Sequence, residues 1–279
     1  MTLLDVLQST TAYFEKRAVE SPRLNAEHLL AHVLQRKRIE LYLEFERELN
    51  EAELAPLREL VRRRGQGEPL QHLLGTVEFC GHVFLCDKRA LVPRPETEEL
   101  VEMIADCGLR IADCRIVDVG TGSGVIALSL AAKFPEAEVH AVDISDDALA
   151  LARENAARLG LQDRVRFGNS HLLAAVDGVF GVIVANLPYV PTVDRPALSR
   201  EVLRDPEVAL FGGERGDELM RELIEAAPDR LRPGGLLALE VGIGQADGLV
   251  SLLTEKNFHD IKAIRDYGGV KRFIFGRYG

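Results

Sequence analysis

Ile116-Val117-Asp118-Val119-Gly120-Thr121-Gly122-Ser123-Gly124-Val125-Ile126-Ala127 reads as a strand, a glycine-rich turn and the start of a helix. The glycines permit a tight turn and let a ligand approach the backbone closely. Amides at the N-terminus of the helix that follows favour an anionic group such as a carboxylate. Some way further on, a second strand ends Val139-His140-Ala141-Val142-Asp143. A carboxylate at that strand end accepts hydrogen bonds from both hydroxyls of a ribose.

Outward from this unit, strands and helices alternate. Strands are expected near 116–119, 138–142, 164–168, 180–185, 235–241, 258–265 and 271–276, with helices near 123–133, 146–159, 217–228 and 244–255. Such alternation means an α/β fold with a parallel sheet covered on both faces. Only Asp266-Tyr267-Gly268-Gly269-Val270 separates the last two strands. That is too short for a helical crossover, so the final strand must run antiparallel. A doubly wound, Rossmann-like sheet of this kind is the architecture of the seven-stranded methyltransferases.

The fourth of these strands leads into a distinctive stretch, Val182-Ile183-Val184-Ala185-Asn186-Leu187-Pro188-Tyr189-Val190-Pro191. Its apolar run predicts a strand buried on both faces. Ligands bind at the carboxyl ends of such strands, where Asn186 and its neighbours fall. An Asn side-chain oxygen and the Leu187 carbonyl can each accept one N–H from a planar NH2 group, and Pro188 stiffens that backbone. Tyr189 offers a flat face for stacking. The same residues also suit a plain Asn-Pro turn that closes a strand.

Ahead of the sheet, residues 1–68 read as a small helical bundle. Thr2 caps a helix carrying Leu3, Leu7 and Phe14; Ser21 with Pro22 opens a second; Asn50 with Glu53 opens a third that ends near Gly65. His28 and His32 lie four apart but find no third ligand, so no metal is expected. Residues 69–91 form a linker in which Val77, Phe79, Val83 and Leu85 alternate around Cys80-Gly81-His82, predicting a β-hairpin. The remaining 92–279 make the ligand-binding domain. There Pro93-Arg94-Pro95-Glu96-Thr97-Glu98 fixes an extended entry to a helix, placing Arg94 to reach a ligand.

The 279 residues suit two domains, and a net charge of -10 argues against a protein that grips nucleic acid through its phosphates. Arg62-Arg63-Arg64 is read as a helix C-terminus complementing its dipole. Cys80, Cys86, Cys107 and Cys114 lack zinc spacing and read as free thiols. With no signal-like or membrane-spanning segment, a cytoplasmic protein is expected.

The glycines alone fit NAD as well as S-adenosylmethionine, since Gly122 to Ala127 satisfies the relaxed dinucleotide pattern. Asp118, one residue before the glycines, can hold a methionine ammonium, and Asn186-Leu187-Pro188-Tyr189 brings no hydride-transfer constellation. Both favour the methyl donor. Asp118 to Gly124 followed by Asn186 to Tyr189 resembles the amino-methyltransferases that carry Asn-Pro-Pro-Tyr. Four further stretches resemble the release factor glutamine methyltransferases (HemK/PrmC family). These are the helical N-terminal region; Arg62 to Leu70 with His72-Leu73-Leu74-Gly75; Pro93 to Glu98; and Arg265-Asp266-Tyr267-Gly268-Gly269 to Gly276-Arg277-Tyr278.

That resemblance implies methylation of the glutamine side-chain amide in the Gly-Gly-Gln motif of peptide chain release factors. It implies S-adenosylmethionine held by Asp118, Gly120, Thr121, Gly122, Ser123, Gly124, Asp143, Ser170, His171, Asn186, Arg94 and Thr97. Asn186, Leu187, Pro188 and Tyr189 carry the transfer, with Tyr189 stacking on the acceptor amide. Glu240, ending the fifth strand, is read as a structural carboxylate capping a loop amide. The N-terminal bundle recognises the release factor, and the enzyme acts as a monomer with no direct nucleic-acid or membrane partner. The chain departs from the family at Ser170-His171, where an Asp-aromatic pair is expected near the adenine, and at Leu187, where a proline is expected. A ribosomal-protein glutamine methyltransferase, a DNA adenine methyltransferase, and an NAD-binding oxidoreductase or sensing module are the alternatives.

Overall fold

A computed structural model describes residues 1–107 and 115–279. Cys80, Cys86 and Cys107 are free thiols, and Cys114 lies outside the described residues. The chain forms two compact units, Met1–Gly75 with Ser199–Arg204, and Thr76–Leu198 with Asp205–Gly279. Among the described residues, no helix is long and apolar enough to cross a membrane.

The first unit is helical. α1 (Leu3–Glu15) starts at a capping box, Thr2 accepting from the Asp5 amide while Asp5 takes the Thr2 amide, as its sequence predicts. α2 (Pro22–Leu34) departs from expectation: Ser21 holds left-handed backbone and its side chain makes no cap. Asn25 braces the entry differently, its Nδ2 donating to the carbonyls of Glu20 and Ser21 at 2.9 and 3.1 Å. After α3 (Arg38–Leu41), α4 (Glu51–Gly65) opens at the expected Asn50–Glu53 capping box, and α5 (Leu70–Leu74) closes the run. Leu3, Leu7, Phe14, Leu29, Leu30 and Leu57 fill the core between them.

The three arginines ending α4 do not make a basic patch. Arg62 pairs with Glu59 and Arg63 with Glu68. Arg64 is buried, its Nη2 on Glu201 at 2.7 Å and its Nε on Asn25 Oδ1 at 2.6 Å. That pair incorporates Ser199–Arg204, distant in sequence, into this unit.

The second unit opens with the hairpin β1 (Thr76–Phe79) and β2 (His82–Leu85), its turn made by Cys80 and Gly81, both at positive φ. The two-residue turn pairs Phe79 with His82 and Val77 with Phe84. Phe84, not Val83 as the alternation suggested, therefore shares the inward face with Phe79; Val83 is exposed. The hairpin is part of this unit's core rather than a free-standing connector.

α6 (Pro95–Asp106) leads to the sheet: β3 (Arg115–Val119), α7 (Val125–Lys133), β4 (Glu138–Asp143), α8 (Asp146–Leu159), β5 (Val165–Asn169) and β6 (Phe180–Asn186). β7 (Val190–Pro191), α9 (Glu207–Leu210), β8 (Phe211–Gly213) and α10 (Glu218–Ala226) follow. The chain ends with β9 (Leu231–Glu240), α11 (Ala246–Glu255), β10 (Phe258–Arg265) and β11 (Lys271–Tyr278). The seven-stranded sheet runs β10-β11-β9-β6-β3-β4-β5, and β11 is antiparallel to both neighbours, as the short last connection required. Residues alternate between the two faces. Ile116, Val182 and Val184 pack with α6 and α7, whereas Val117, Ile183 and Ala185 pack with α10 and α11. β9 starts before the expected residue 235 because Leu231 already pairs with Phe180. Strand order reverses beside β3, between β4 and β6, which opens a crevice at their carboxyl ends.

Candidate active site

The turn after β3 is built by its glycines. Gly120, Gly122 and Gly124 all have positive φ, and the amides of Gly120 and Thr121 donate to the Val142 carbonyl at 2.9 and 3.0 Å. Helix α7 therefore starts at Val125, later than residue 123, once the left-handed turn is complete. Asn155, fully buried on α8, donates to the Ser123 and Leu85 carbonyls and so ties loop and hairpin together.

Asp118 lies beneath this loop and does not line the crevice. Its Oδ2 accepts from the Thr121 hydroxyl at 2.6 Å and the Ala127 amide at 3.1 Å, while Oδ1 is buried with no partner among the described residues. The strand pleat turns it toward the start of α7, where it holds the turn. Burial pushes its carboxyl up to about 7, opposed by those two hydrogen bonds. The folded value is raised, so the group's contribution to stability is present below the unfolded value and is lost as pH rises through about 7. Unfolding without added ligand is expected to show Asp118→Asn gaining on the wild type as pH rises across that range. A pH-independent difference between the two proteins would contradict this.

Asp143 ends β4 with both oxygens engaged, taking the Gly122 amide and the Ser145 amide, each at 2.9 Å. Burial raises its carboxyl against those amides. Each oxygen keeps acceptor capacity toward the crevice. Beyond β5, the Ser170 hydroxyl is committed locally, donating to the Leu172 carbonyl at 2.9 Å and accepting from the Ala175 amide at 3.0 Å. His171 stays exposed at the crevice edge, with Nδ1 3.3 Å from Glu222 Oε1.

Asn186 is held from behind. Its Nδ2 donates to Thr97 Oγ1 at 3.1 Å, and Thr97 donates to Glu240 Oε2 at 2.8 Å. The Asn186 Oδ1 end is left to the crevice. Thr97, which also lines the crevice, and Glu240, expected to cap a loop amide, form this chain. Burial pushes Glu240 up to about 7, opposed by Thr97, Arg272 and Asn186. Leu187 is buried, and a Cβ on Gly120 would lie 2.8 Å from its Cδ2, so the leucine packs directly on the glycine loop. Tyr189 does not line the crevice: its ring packs beside Gly242 and the second core, and its carbonyl accepts from Gln245 Nε2 at 2.9 Å.

The crevice encloses about 250 Å3. Arg94, Thr97, Gly120, Thr121, Gly122, Ser123, Asp143, Ser170, His171, Asn186, Leu187 and Pro188 converge on it; Asp118, Gly124 and Tyr189 support it from outside. Arg94 is braced by Asp205, Nη2 to Oδ2 at 2.9 Å. Reading the sequence alone missed Asp205 and the wall it begins, Pro206, Val208, Ala209 and Phe211. It also missed the cradle under the Asn186 loop. A Cβ on Gly212 would lie 2.2 Å from the Pro188 carbonyl oxygen, and one on Gly216 2.4 Å from that of Tyr189. The closely spaced glycines at 212, 213 and 216 were the available signal. The whole suits a nucleoside-bearing ligand along the glycine loop and Asp143, with a planar NH2 group presented to Asn186.

The PrmC N-terminal domain family model matches residues 5–75, and the methyltransferase small domain model matches residues 97–214. A release factor glutamine methyltransferase of Geobacter sulfurreducens is 41% identical over 281 residues, covering 100% of this chain and 97% of its own. Its counterpart in Deinococcus radiodurans is 42% identical over 277 residues, covering 99% of each chain. Among solved structures, a methyltransferase from Pyrococcus furiosus shares the fold, with a TM-score of 0.54 and 23% identity over 70% of this chain and 88% of that one.

Proposed function

The chain belongs to the release factor glutamine methyltransferase family, and from that premise we propose that it methylates the side-chain amide nitrogen of the Gly-Gly-Gln glutamine in peptide chain release factors. S-adenosylmethionine is its methyl donor and supplies an electrophilic methyl group on a sulfonium. The residues present fit that donor: Gly122 leaves the backbone open to it, and Asp143 keeps acceptor capacity for ribose hydroxyls.

The observation that carries the acceptor reading is Asn186, whose Nδ2 is occupied by Thr97 while Oδ1 remains for a substrate N–H. An amide nitrogen is a poor nucleophile because its lone pair is delocalised. Asn186 Oδ1 and the Leu187 carbonyl accept its two hydrogens, which turns the lone pair toward the methyl group and stabilises positive charge as it develops. Held proximity and orientation supply much of the rest, with effects of roughly 7–11 kcal/mol in favourable cases. The methylated amide then sheds a proton without a dedicated strong base. The first unit recognises the release factor. Exposed Leu24, Ile39 and Leu43 on its surface support that role. Free thiols fit action in a reducing cytoplasm.

Asp143→Ala is expected to weaken S-adenosylmethionine binding roughly ten- to a hundredfold, the usual worth of hydrogen bonds to a charged group. Calorimetry checks it, with NAD as the control; wild-type affinity in the variant would remove Asp143 from the donor site. Incubation with the donor and a purified release factor is expected to add one methyl group to the peptide carrying Gly-Gly-Gln, read by mass spectrometry. A methyl group on any other peptide would overturn the acceptor assignment.

A further inference from the structure

We propose that Glu240, acting on Asn186 both directly and through Thr97, is a polarity lock that presents the oxygen rather than the nitrogen of the Asn186 amide to the acceptor. This rests on the acceptor reading above and goes beyond it, since neither residue touches the reacting atoms.

A threonine hydroxyl has one proton and two lone pairs. When Glu240 is ionised it can only accept, so the Thr97 proton goes to Oε2, 2.8 Å away. The Thr97 oxygen is then left to accept, and its partner at 3.1 Å must be the NH2 end of Asn186. Oδ1 is thereby turned to the crevice. When Glu240 is protonated, its own O–H can donate to Thr97, whose proton is then free to point at Asn186. That arrangement favours Asn186 Oδ1 facing Thr97, which leaves Nδ2 facing the substrate. A donor there opposes the substrate N–H and no longer stabilises charge developing on the acceptor nitrogen. One proton on a buried carboxylate thus decides whether the site is competent.

The surroundings suit a carboxylate that titrates near neutrality. Glu240 is buried. Arg272 of β11 favours its ionised form, Glu96 of α6 opposes it, Thr97 and Asn186 donate toward it, and the Tyr189 hydroxyl couples to it from the loop after β6. Burial outweighs these and holds the carboxyl at about 7. The ionised form is the competent one, so turnover is present above that value and is lost as pH falls through it.

The test is the pH profile of kcat at saturating S-adenosylmethionine and release factor for wild type, Thr97→Val, Thr97→Ser and Glu240→Gln, with donor affinity measured alongside. Thr97→Val is expected to lower kcat about ten- to a hundredfold, as loss of an orienting partner commonly does, with a smaller change in donor affinity, and to weaken the acidic limb, whose remainder comes from the direct contact of Glu240 with Asn186. Thr97→Ser keeps the hydroxyl and is expected to restore both rate and limb. Glu240→Gln can donate or accept, so a reduced rate with no acidic limb is expected. Wild-type kcat in Thr97→Val, or an acidic limb that survives in both Thr97→Val and Glu240→Gln, overturns the lock. If Asn186→Ala is inactive while Thr97→Val is fully active, only the lock fails; if Asn186→Ala is fully active, the acceptor reading fails as well.

Discussion

Asn186→Ala is expected to lose about 10²- to 10³-fold in kcat, the usual cost of removing one preorganised group aimed at developing charge. Donor affinity is expected to change little, because the glycine loop and Asp143 remain. The size of the effect follows from what the side chain replaces. In water a glutamine NH2 is solvated from all sides, and its lone pair stays conjugated with the carbonyl. At the end of β6, an oxygen fixed by Thr97 takes one hydrogen in a place already paid for by folding. Asn186→Asp separates orientation from charge. It keeps an acceptor but cannot donate to Thr97, so it is expected to recover only part of the rate. Single-turnover transfer with each variant checks both, and full activity in Asn186→Ala would remove the residue from the mechanism.

Gly212→Ala is expected to be the most damaging substitution outside the lining of the crevice. The added methyl carbon would fall 2.2 Å from the Pro188 carbonyl oxygen and 2.4 Å from that of Gly216. Both are backbone atoms, so no side chain can swing away to make room. Either β8 or the Asn186 loop has to move. Forcing an extra methyl group into a packed site costs about 1–3 kcal/mol. A displacement of the order of 1 Å at a catalytic group costs about 10²-fold in rate. Thermal unfolding and kcat/KM are expected to fall together, and an alanine variant with wild-type values of both would show that the loop does not depend on this cradle.

Much of this site could be read along the chain because its parts are local. A strand that is apolar throughout, ending in Asn186, must run through the middle of a sheet, and all of β6 before Asn186 is buried. Glycines before a helix and an acid at the end of the next strand were expected to serve one ligand, and the Gly122 amide bonds Asp143. The acceptor polarity of Asn186 was not legible. It is set by Thr97 and Glu240, which lie 89 residues before it in the chain and at the end of another strand. The side-chain directions of Asp118 and Tyr189 were not legible for a related reason: motif spacing places a residue near a loop but does not say which way its side chain turns. The pleat carries Asp118 under the turn, and backbone bracing carries the Tyr189 ring into the second core. β7 and β8 are two and three residues long, too short to show any period, and so the cradle at Gly212 was invisible.

The most direct test of the central claim is transfer of a labelled methyl group from S-adenosylmethionine to a purified release factor, run beside the same factor with its Gly-Gly-Gln glutamine changed to alanine. Label on the unaltered factor alone is the expected result, since the Asn186 cradle is built for a planar NH2 group that the alanine variant lacks. Equal label on both factors, or label on neither, would contradict it.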